Sequence, residues 1–556
     1  MNASATAASL GRPASPATGS APRADLHGLP HMLRFVVARN WLRLLVWAVV
    51  LVGMIPLVYE SQRAAFPTQA SREAYARIAD TPSVAALTGT PYAANTLGGI
   101  LVLKIWMTLA LSLALATIFL VTRNGRADEE GGRAELLRAN SLGLHAYTVA
   151  NYLVVGAFDL VVGAAIALTA AALTLPVGGS LVLGGSLAAV GLFFLGVSAL
   201  FGQLASTGRG ANGWSTAVLG AVFVLRAVGD LNGTGTAPSW VSWLSPIGWG
   251  QAMRPYGENR WWPALLLVGG AALLCAIALR LEGRRDLGAG VLADRAGAPR
   301  AGGFLTSPFG LAVREQRGLL VGWFAGSITL AILYGSVATA IANLLGSNPV
   351  FAAYIGGHTS TFVNAILGWL VLLNGIIASA FGVQTALQAR SEEAAGYAEP
   401  QLAGSISRLR WSGSRLLVAA LGSALLLAVS GFVMGAAYGA STSDFSPAWT
   451  LTGASLAYWP AVLVSAGVPV LLFGLVPRLA GVLSWSYLSA MAILSFAGTL
   501  FGLPSWLVDH TPLTATPRLP GVAFDGVPLA ILAGVAVVLW TVGLVAFRRR
   551  DLAVDA

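Results

Sequence analysis

An arginine, a pair of acids, a glycine and a further glutamate occur twice in this chain. Arg126-Ala127-Asp128-Glu129-Glu130-Gly131-Gly132-Arg133-Ala134-Glu135 follows one apolar run. Arg390-Ser391-Glu392-Glu393-Ala394-Ala395-Gly396-Tyr397-Ala398-Glu399 follows another, 264 residues later. Read as helix, Arg126 and Glu130 share a face and Glu135 lies more than a turn further on. Carboxylates so placed form ion pairs with basic side chains or dock on helix N-termini. No Gly-x-Ser-x-Gly context or cysteine pair occurs in the chain, so the chemistry these segments suggest is recognition. Both segments are close to charge balance, which a solvated loop also satisfies. Their spacing persists while the apolar sequence around them has drifted, and that favours a surface in contact with something.

Four more charges, Lys104, Asp159, Arg226 and Asp230, fall inside apolar runs. An ionisable group within a membrane is costly and marks a candidate transport path. Lys104 lies about seven residues, roughly 10 Å, inside its run from the outer end, and Asp159 about twelve residues, roughly 18 Å, from the inner end of the next. Within a core of about 30 Å the two are expected near one depth. Arg226 and Asp230 can pair at i,i+4. The second half has no counterparts at matching offsets, so any polar cavity wall is expected on one side. The same residues admit a structural role, in which Lys104 snorkels outward, Arg226 pairs with Asp230, and Asp159 ties helices together.

Other chemistries are excluded or disfavoured. The one lysine, Lys104, is followed by Ile105, so the chain has no Walker A loop and binds no ATP by that route. It is expected not to be an enzyme, with no catalytic residue. Five histidines and one cysteine, Cys275, provide neither a disulfide nor a recognisable metal site. A major-facilitator loop needs a base where Glu129 stands, and the second hairpin lacks that pattern altogether. The net charge of +10 could suggest nucleic acid, but its placement fits membrane topology better, and no nucleic acid is expected as a partner.

The elements that must hold these residues are membrane helices. The chain is 56% hydrophobic and 10% charged, whereas soluble domains carry about 25% charged residues. Twelve spans are expected at about 42–59, 97–121, 147–174, 181–205, 214–231, 263–280, 319–344, 362–388, 415–437, 452–474, 482–502 and 527–547. With the N-terminus inside, inner segments hold 25 of the 33 basic residues. Both termini are therefore expected in the cytoplasm. Arg284-Arg285-Asp286-Leu287 and Arg549-Arg550-Asp551-Leu552 close the sixth and twelfth runs, and Ser245-Pro246 and Thr511-Pro512 precede them. With the acidic hairpins, these landmarks keep one offset to within two residues, the mark of an internal duplication. The Arg-Arg-Asp-Leu segments read as inner-leaflet anchors. An even number of spans makes the halves parallel, and like halves commonly enclose a site. The organisation expected is a disordered tail over 1–30 without a cleaved signal peptide, halves over 31–290 and 309–556, and a linker over 291–308. Amphipathic segments His31–Arg43 and Phe309–Arg317 would open each half as interfacial helices. Trp240, Trp243, Trp249, Trp261, Trp262 and Trp506 would anchor the outer interface.

These parts resemble the actinobacterial fused permeases of the ABC-2 exporter type, the polyketide-antibiotic or tetronasin exporters. The residues carrying the likeness are Ser391-Glu392-Glu393-Ala394-Ala395-Gly396 with Glu399 and Arg408-Leu409-Arg410-Trp411. Trp243-Leu244-Ser245-Pro246-Ile247-Gly248-Trp249, Arg254-Pro255, Arg260-Trp261-Trp262-Pro263 and Arg284 to Gly290 add to it. The likeness implies an all-α polytopic protein of twelve spans in two six-helix halves, each with an elbow helix and a coupling helix. It implies an ATP-binding subunit, in two copies, that holds ATP and Mg and docks on the cytoplasmic side. This chain would then be the plasma-membrane permease through which drugs, polyketide-like antibiotics or lipids leave the cell. Arg126, Asp128, Glu129, Glu130 and Glu135, with Arg390, Glu392, Glu393, Gly396 and Glu399, would couple it to that subunit. In the first copy, Asp128-Glu129-Glu130 leaves open which two acids match Glu392-Glu393. The rival reading is a proton-coupled efflux transporter working through Asp159.

Overall fold

The computed structural model describes residues 25–80, 84–85, 88–138, 142–231, 239–286, 288–292, 297, 299–347, 359–497, 504–509 and 511–551. Among these the structure is all helix, with no strand. The first repeat contains α1 Leu29–Ala65, α2 Gln69–Ala79, α3 Leu97–Arg123, α4 Arg126–Glu130, α5 Arg133–Arg138, α6 Ala146–Ala172, α7 Val177–Leu204, α8 Gly208–Leu231, α9 Pro246–Gln251 and α10 Trp262–Glu282. The second contains α11 Pro308–Ser347, α12 Thr359–Ala386, α13 Gln388–Ala394, α14 Ala398–Leu402, α15 Arg408–Thr442, α16 Ser446–Leu456, α17 Trp459–Leu475, α18 Ala480–Ala497, α19 Ser505–Val508, α20 Pro512–Ala515 and α21 Gly526–Arg549. Among the described residues, eleven helices are long and apolar enough to cross a membrane. The chain is a multi-pass membrane protein. At the span expected over 482–502, α18 is described only to Ala497, and 498–502 lie outside the described residues.

The chain forms two compact units. One comprises Met1–Arg72, Tyr92–Val222 and Trp243–Arg295, the other Glu73–Pro91, Phe223–Ser242 and Ala296–Ala556. Most of the expected tail, 1–24, lies outside the described residues. Residues 25–30 belong to the fold: the carbonyls of Asp25 and His27 accept from the amides of His145 and Gly143 at 3.0 Å. The expected elbow segments are not separate helices. His31–Arg43 is the opening of α1 and Phe309–Arg317 that of α11, each continuous with the span that follows. No proline separates segment from span there, and a lone Gly318 costs a helix only about 1 kcal/mol.

Local sequence explains the breaks that do occur. Thr96 caps α3, its hydroxyl accepting from the Gly99 amide at 3.0 Å. Ser245 and Thr511 cap α9 and α20 in the same way, each with proline at the first helical position. In the second repeat Pro460 opens α17, and the apolar run splits into α16 and α17. In the first repeat α7 runs unbroken. Glycines set the closest approaches: a Cβ on Gly163 of α6 or Gly184 of α7 would strike the other's carbonyl oxygen. The core of the first unit includes Ile100, Leu101 and Trp106, the indole of the last donating to Ser186 Oγ at 2.8 Å. Far from the hairpins in sequence, Arg254 and Arg260 flank Glu258. Desolvation acts to raise the Glu258 carboxyl, but the hydrogen bonds and charges of Arg260 and Arg254 together outweigh it and hold the group below the usual carboxylate range.

Candidate functional site: two acidic hairpins

Each acidic segment folds as two short helices joined at a glycine of positive φ, Gly132 at +70° and Gly396 at +75°. In the second copy the Tyr397 amide donates to the Glu392 carbonyl at 2.9 Å and the Gly396 amide to Glu393 at 3.0 Å, which is a Schellman cap. In the first the Gly132 amide donates to Glu129 at 3.1 Å. These glycines bring the copies into register: Asp128 matches Glu392 and Glu129 matches Glu393. Glu130 is the extra acid. It accepts from the Gly208 amide at 2.9 Å, at the N-terminus of α8.

The paired acids were expected to face a partner. Asp128, Glu392 and Glu393 are buried instead and Glu129 is half-buried, and all four are held by this chain's own bases. Asp128 accepts from Arg39 of α1 at 2.8 Å, from Arg133 at 3.0 Å and from the Tyr147 hydroxyl at 2.6 Å. Glu392 accepts from Arg415 Nε of α15 at 2.7 Å, and Arg415 also reaches Glu315 of α11 at 3.1 Å while lying over the Trp411 ring. The second acid of each pair meets the second arginine of an Arg-Arg-Asp-Leu segment. Arg285 donates to both oxygens of Glu129 at 2.6 and 2.8 Å, and Arg550 to both oxygens of Glu393 at 2.5 and 2.7 Å. Those arginines are therefore ion-pair partners, while Arg284, Arg548 and Arg549 remain exposed. The physical reason is desolvation: an acid at a packed helix junction must find a base, and the ends of α10 and α21 supply one.

The leading arginines fasten the hairpins elsewhere. Arg126, with a fully enclosed side chain, donates to the carbonyls of Ser206 at 2.6 Å, Gly288 at 2.7 Å and Ala289 at 3.0 Å, and to Glu129 at 2.8 Å. Arg390 donates to the carbonyls of Pro477 and Arg478. In both repeats the arginine thus binds carbonyls just past the end of a helix, α7 or α17, where such groups lack helical partners. The outward residues of the hairpins also correspond: Ala127, Gly131, Arg133, Glu135 and Leu136 in one, Ser391, Ala395, Tyr397, Glu399 and Pro400 in the other.

The intramembrane charges are divided between the two compact units. Asp159 is fully buried, accepts from Thr117 of α3 at 2.7 Å and packs against Gly191 of α7. Thr117 lies thirteen residues along α3 from Lys104, about 20 Å of helix, so Lys104 and Asp159 do not share a depth. The packing that joins α3, α6 and α7 decides this, and counting residues from run ends misjudged it because α3 and α6, 27 residues each and so about 40 Å long, exceed a core of about 30 Å. Arg226 and Asp230 do pair, at 3.1 Å, and Asp230 also accepts from Ser242 at 2.7 Å. Lys104 and Asp159 belong to the first compact unit, Arg226 and Asp230 to the second. The second unit has a neutral intramembrane network that a search for charges overlooks: Asn374 of α12 donates to Ser430 of α15 at 2.8 Å and Ser455 of α16 at 3.3 Å. Also missed were Arg39, Arg415 and Glu282, the last buried and bonded to Thr148 at 2.7 Å. The lone signal for them was an ionisable residue near a run end.

The chain matches the family described as multidrug efflux system permease Rv1217c, C-terminal domain, over residues 305–548. It is 37% identical over 526 residues to the multidrug efflux system permease protein Rv1217c of Mycobacterium tuberculosis (strain ATCC 25618 / H37Rv), with 94% of each chain covered.

Proposed function

Since the chain belongs to the family of the multidrug efflux system permease Rv1217c, we propose that it is the membrane subunit of an ATP-driven exporter of amphipathic compounds. ATP is hydrolysed, in this reading, by a separate subunit present in two copies. The observation that carries it is the doubled hairpin. Two like docking faces, Ala127 to Leu136 and Ser391 to Pro400, suit two like partner subunits. Leu136 is 73% and Tyr397 67% exposed, at the edge of otherwise polar turns. Exposed apolar anchors of this kind are what a protein contact buries.

The paired acids then act as positioning residues. A push on either face passes through Arg126 or Arg390 to the end of α7 or α17. It also passes through Glu129–Arg285 or Glu393–Arg550 to the end of α10 or α21. Rigid transmission favours short bidentate pairs, and Glu129–Arg285 and Glu393–Arg550 are both bidentate at 2.5 to 2.8 Å. Both termini and both hairpins lie in the cytoplasm of a plasma-membrane protein, and the cargo is a drug, a polyketide-like antibiotic or a lipid. A proton-coupled mechanism would need Asp159 to meet water from two sides, and its packing on Gly191 and Thr117 supports a helix-tying role instead. The test is affinity capture of the tagged full chain from its native membranes. An ATP-binding subunit should co-purify with the wild type, and Leu136→Asp with Tyr397→Asp should release it at unchanged permease abundance. Capture without any ATPase, and export that follows the proton gradient and is lost in Asp159→Asn, would refute the proposal.

A further inference from the structure

A groove of about 760 Å³ lies in the second unit, beside the second hairpin, and none of the contacts above fills it. Its long wall is one face of α18. Val482, Trp485, Ser489 and Ile493 recur there at three- and four-residue spacing and are all exposed. Bulky side chains stand toward the ends, and Ser489 with small neighbours lies between them, which leaves a furrow. From Val482 to Ile493 the furrow runs about 17 Å, close to one leaflet of a hydrocarbon core about 30 Å thick.

Two guanidiniums close the head of this furrow. Arg478 is exposed. Arg390 spends Nε and one terminal nitrogen on the carbonyls of Pro477 and Arg478, and its other terminal nitrogen lies toward Gly481 in the groove. The counterpart in the first repeat differs: Arg126 uses both terminal nitrogens on three carbonyls and Glu129 and has no exposed side chain. Spare N–H donors at the head of an apolar furrow on a membrane helix call for an anion carried on a hydrocarbon tail.

We propose that this groove binds one anionic glycerophospholipid of the surrounding bilayer. The phosphate sits on Arg390 and Arg478, and one acyl chain lies along Val482, Trp485, Ser489 and Ile493. A zwitterionic headgroup fits less well, because its cation would meet the same two arginines. The site does not depend on the ATPase reading. Because Arg390 also fastens the second hairpin, an occupied groove would stiffen that hairpin and leave the first unaffected.

Native mass spectrometry of the purified full chain in detergent, titrated with phosphatidylglycerol or phosphatidylcholine, tests this. The wild type should retain one phosphatidylglycerol more than the variants and should prefer it to phosphatidylcholine. Arg478→Gln should weaken that binding about fivefold, the effect of one interfacial basic residue. Ser489→Trp keeps the charges and fills the furrow, and should abolish the retained lipid. Both sites are on the exposed face of the unit, and equal melting temperatures in lipid-free detergent confirm that the fold is kept. Equal retention of the two lipids by the wild type, or unchanged phosphatidylglycerol binding in both variants, would overturn the proposal.

Discussion

Arg550→Gln should loosen the second hairpin from the last span. Arg550 makes two bonds to Glu393, at 2.5 and 2.7 Å, and lies over the rings of Phe473 and Phe547 at 4.8 and 5.1 Å. The side chains are 16% and 4% exposed, so the carboxylate is the more enclosed partner. Removing one member of a fully buried pair costs about 3–5 kcal/mol, because the other charge is stranded. Partial solvent access on the arginine side brings the expected loss to about 2–3 kcal/mol. Glu393→Gln strands the more accessible charge and should cost less. The double variant strands neither, and should recover about 2 kcal/mol relative to the sum of the single losses. Arg550→Lys should rescue poorly, since an ammonium neither forks onto a carboxylate nor stacks on two rings. Heat unfolding of the purified chain in detergent, followed by tryptophan fluorescence, gives the four corners of the cycle. The exposed neighbour supplies the control: Arg548→Gln should change stability by less than about 0.5 kcal/mol. Strictly additive losses, or an Arg548→Gln effect as large as that of Arg550→Gln, would refute the ion-pair reading and restore that of a simple membrane anchor.

Gly132→Ala and Gly396→Ala place a side chain at positive φ and should each cost about 1–2 kcal/mol, seen as faster amide exchange within 126–138 and 388–402 respectively. Unchanged exchange would mean the glycines are not needed for the turn. Gly191→Ala should lower folded yield, because a Cβ there would lie 2.7 Å from the Asp159 carboxyl carbon. Asp159→Ser should restore it by making room, and failure to do so would show that the two residues do not share one packing site. In the first hairpin, Arg285→Gln should cost less than its counterpart, at the low end of about 1–3 kcal/mol for a charge-assisted bond, because Arg126 still holds Glu129 at 2.8 Å. The same fluorescence cycle measures it.

Much of this protein is legible without coordinates. Helices crossing a membrane follow from composition and run length, since a backbone in hydrocarbon must satisfy its own hydrogen bonds. The duplication is visible because the landmarks that keep it are polar and scarce, whereas the apolar residues between them interchange freely at little cost. The family resemblance rested on those landmarks too. Tertiary structure alone decided which way the acids point. Charge and spacing are the same for a carboxylate that meets another protein and one that meets its own Arg415 or Arg550. The difference lies in whether a base more than twenty residues away in sequence is folded to within 3 Å, and helical periodicity carries no information about that. The relative depths of Lys104 and Asp159 escaped for a related reason. Both helices are longer than the hydrocarbon core is thick, so run ends do not fix depth; the bonds from Thr117 to Asp159 and from Asn151 to the Val121 carbonyl fix α3 against α6.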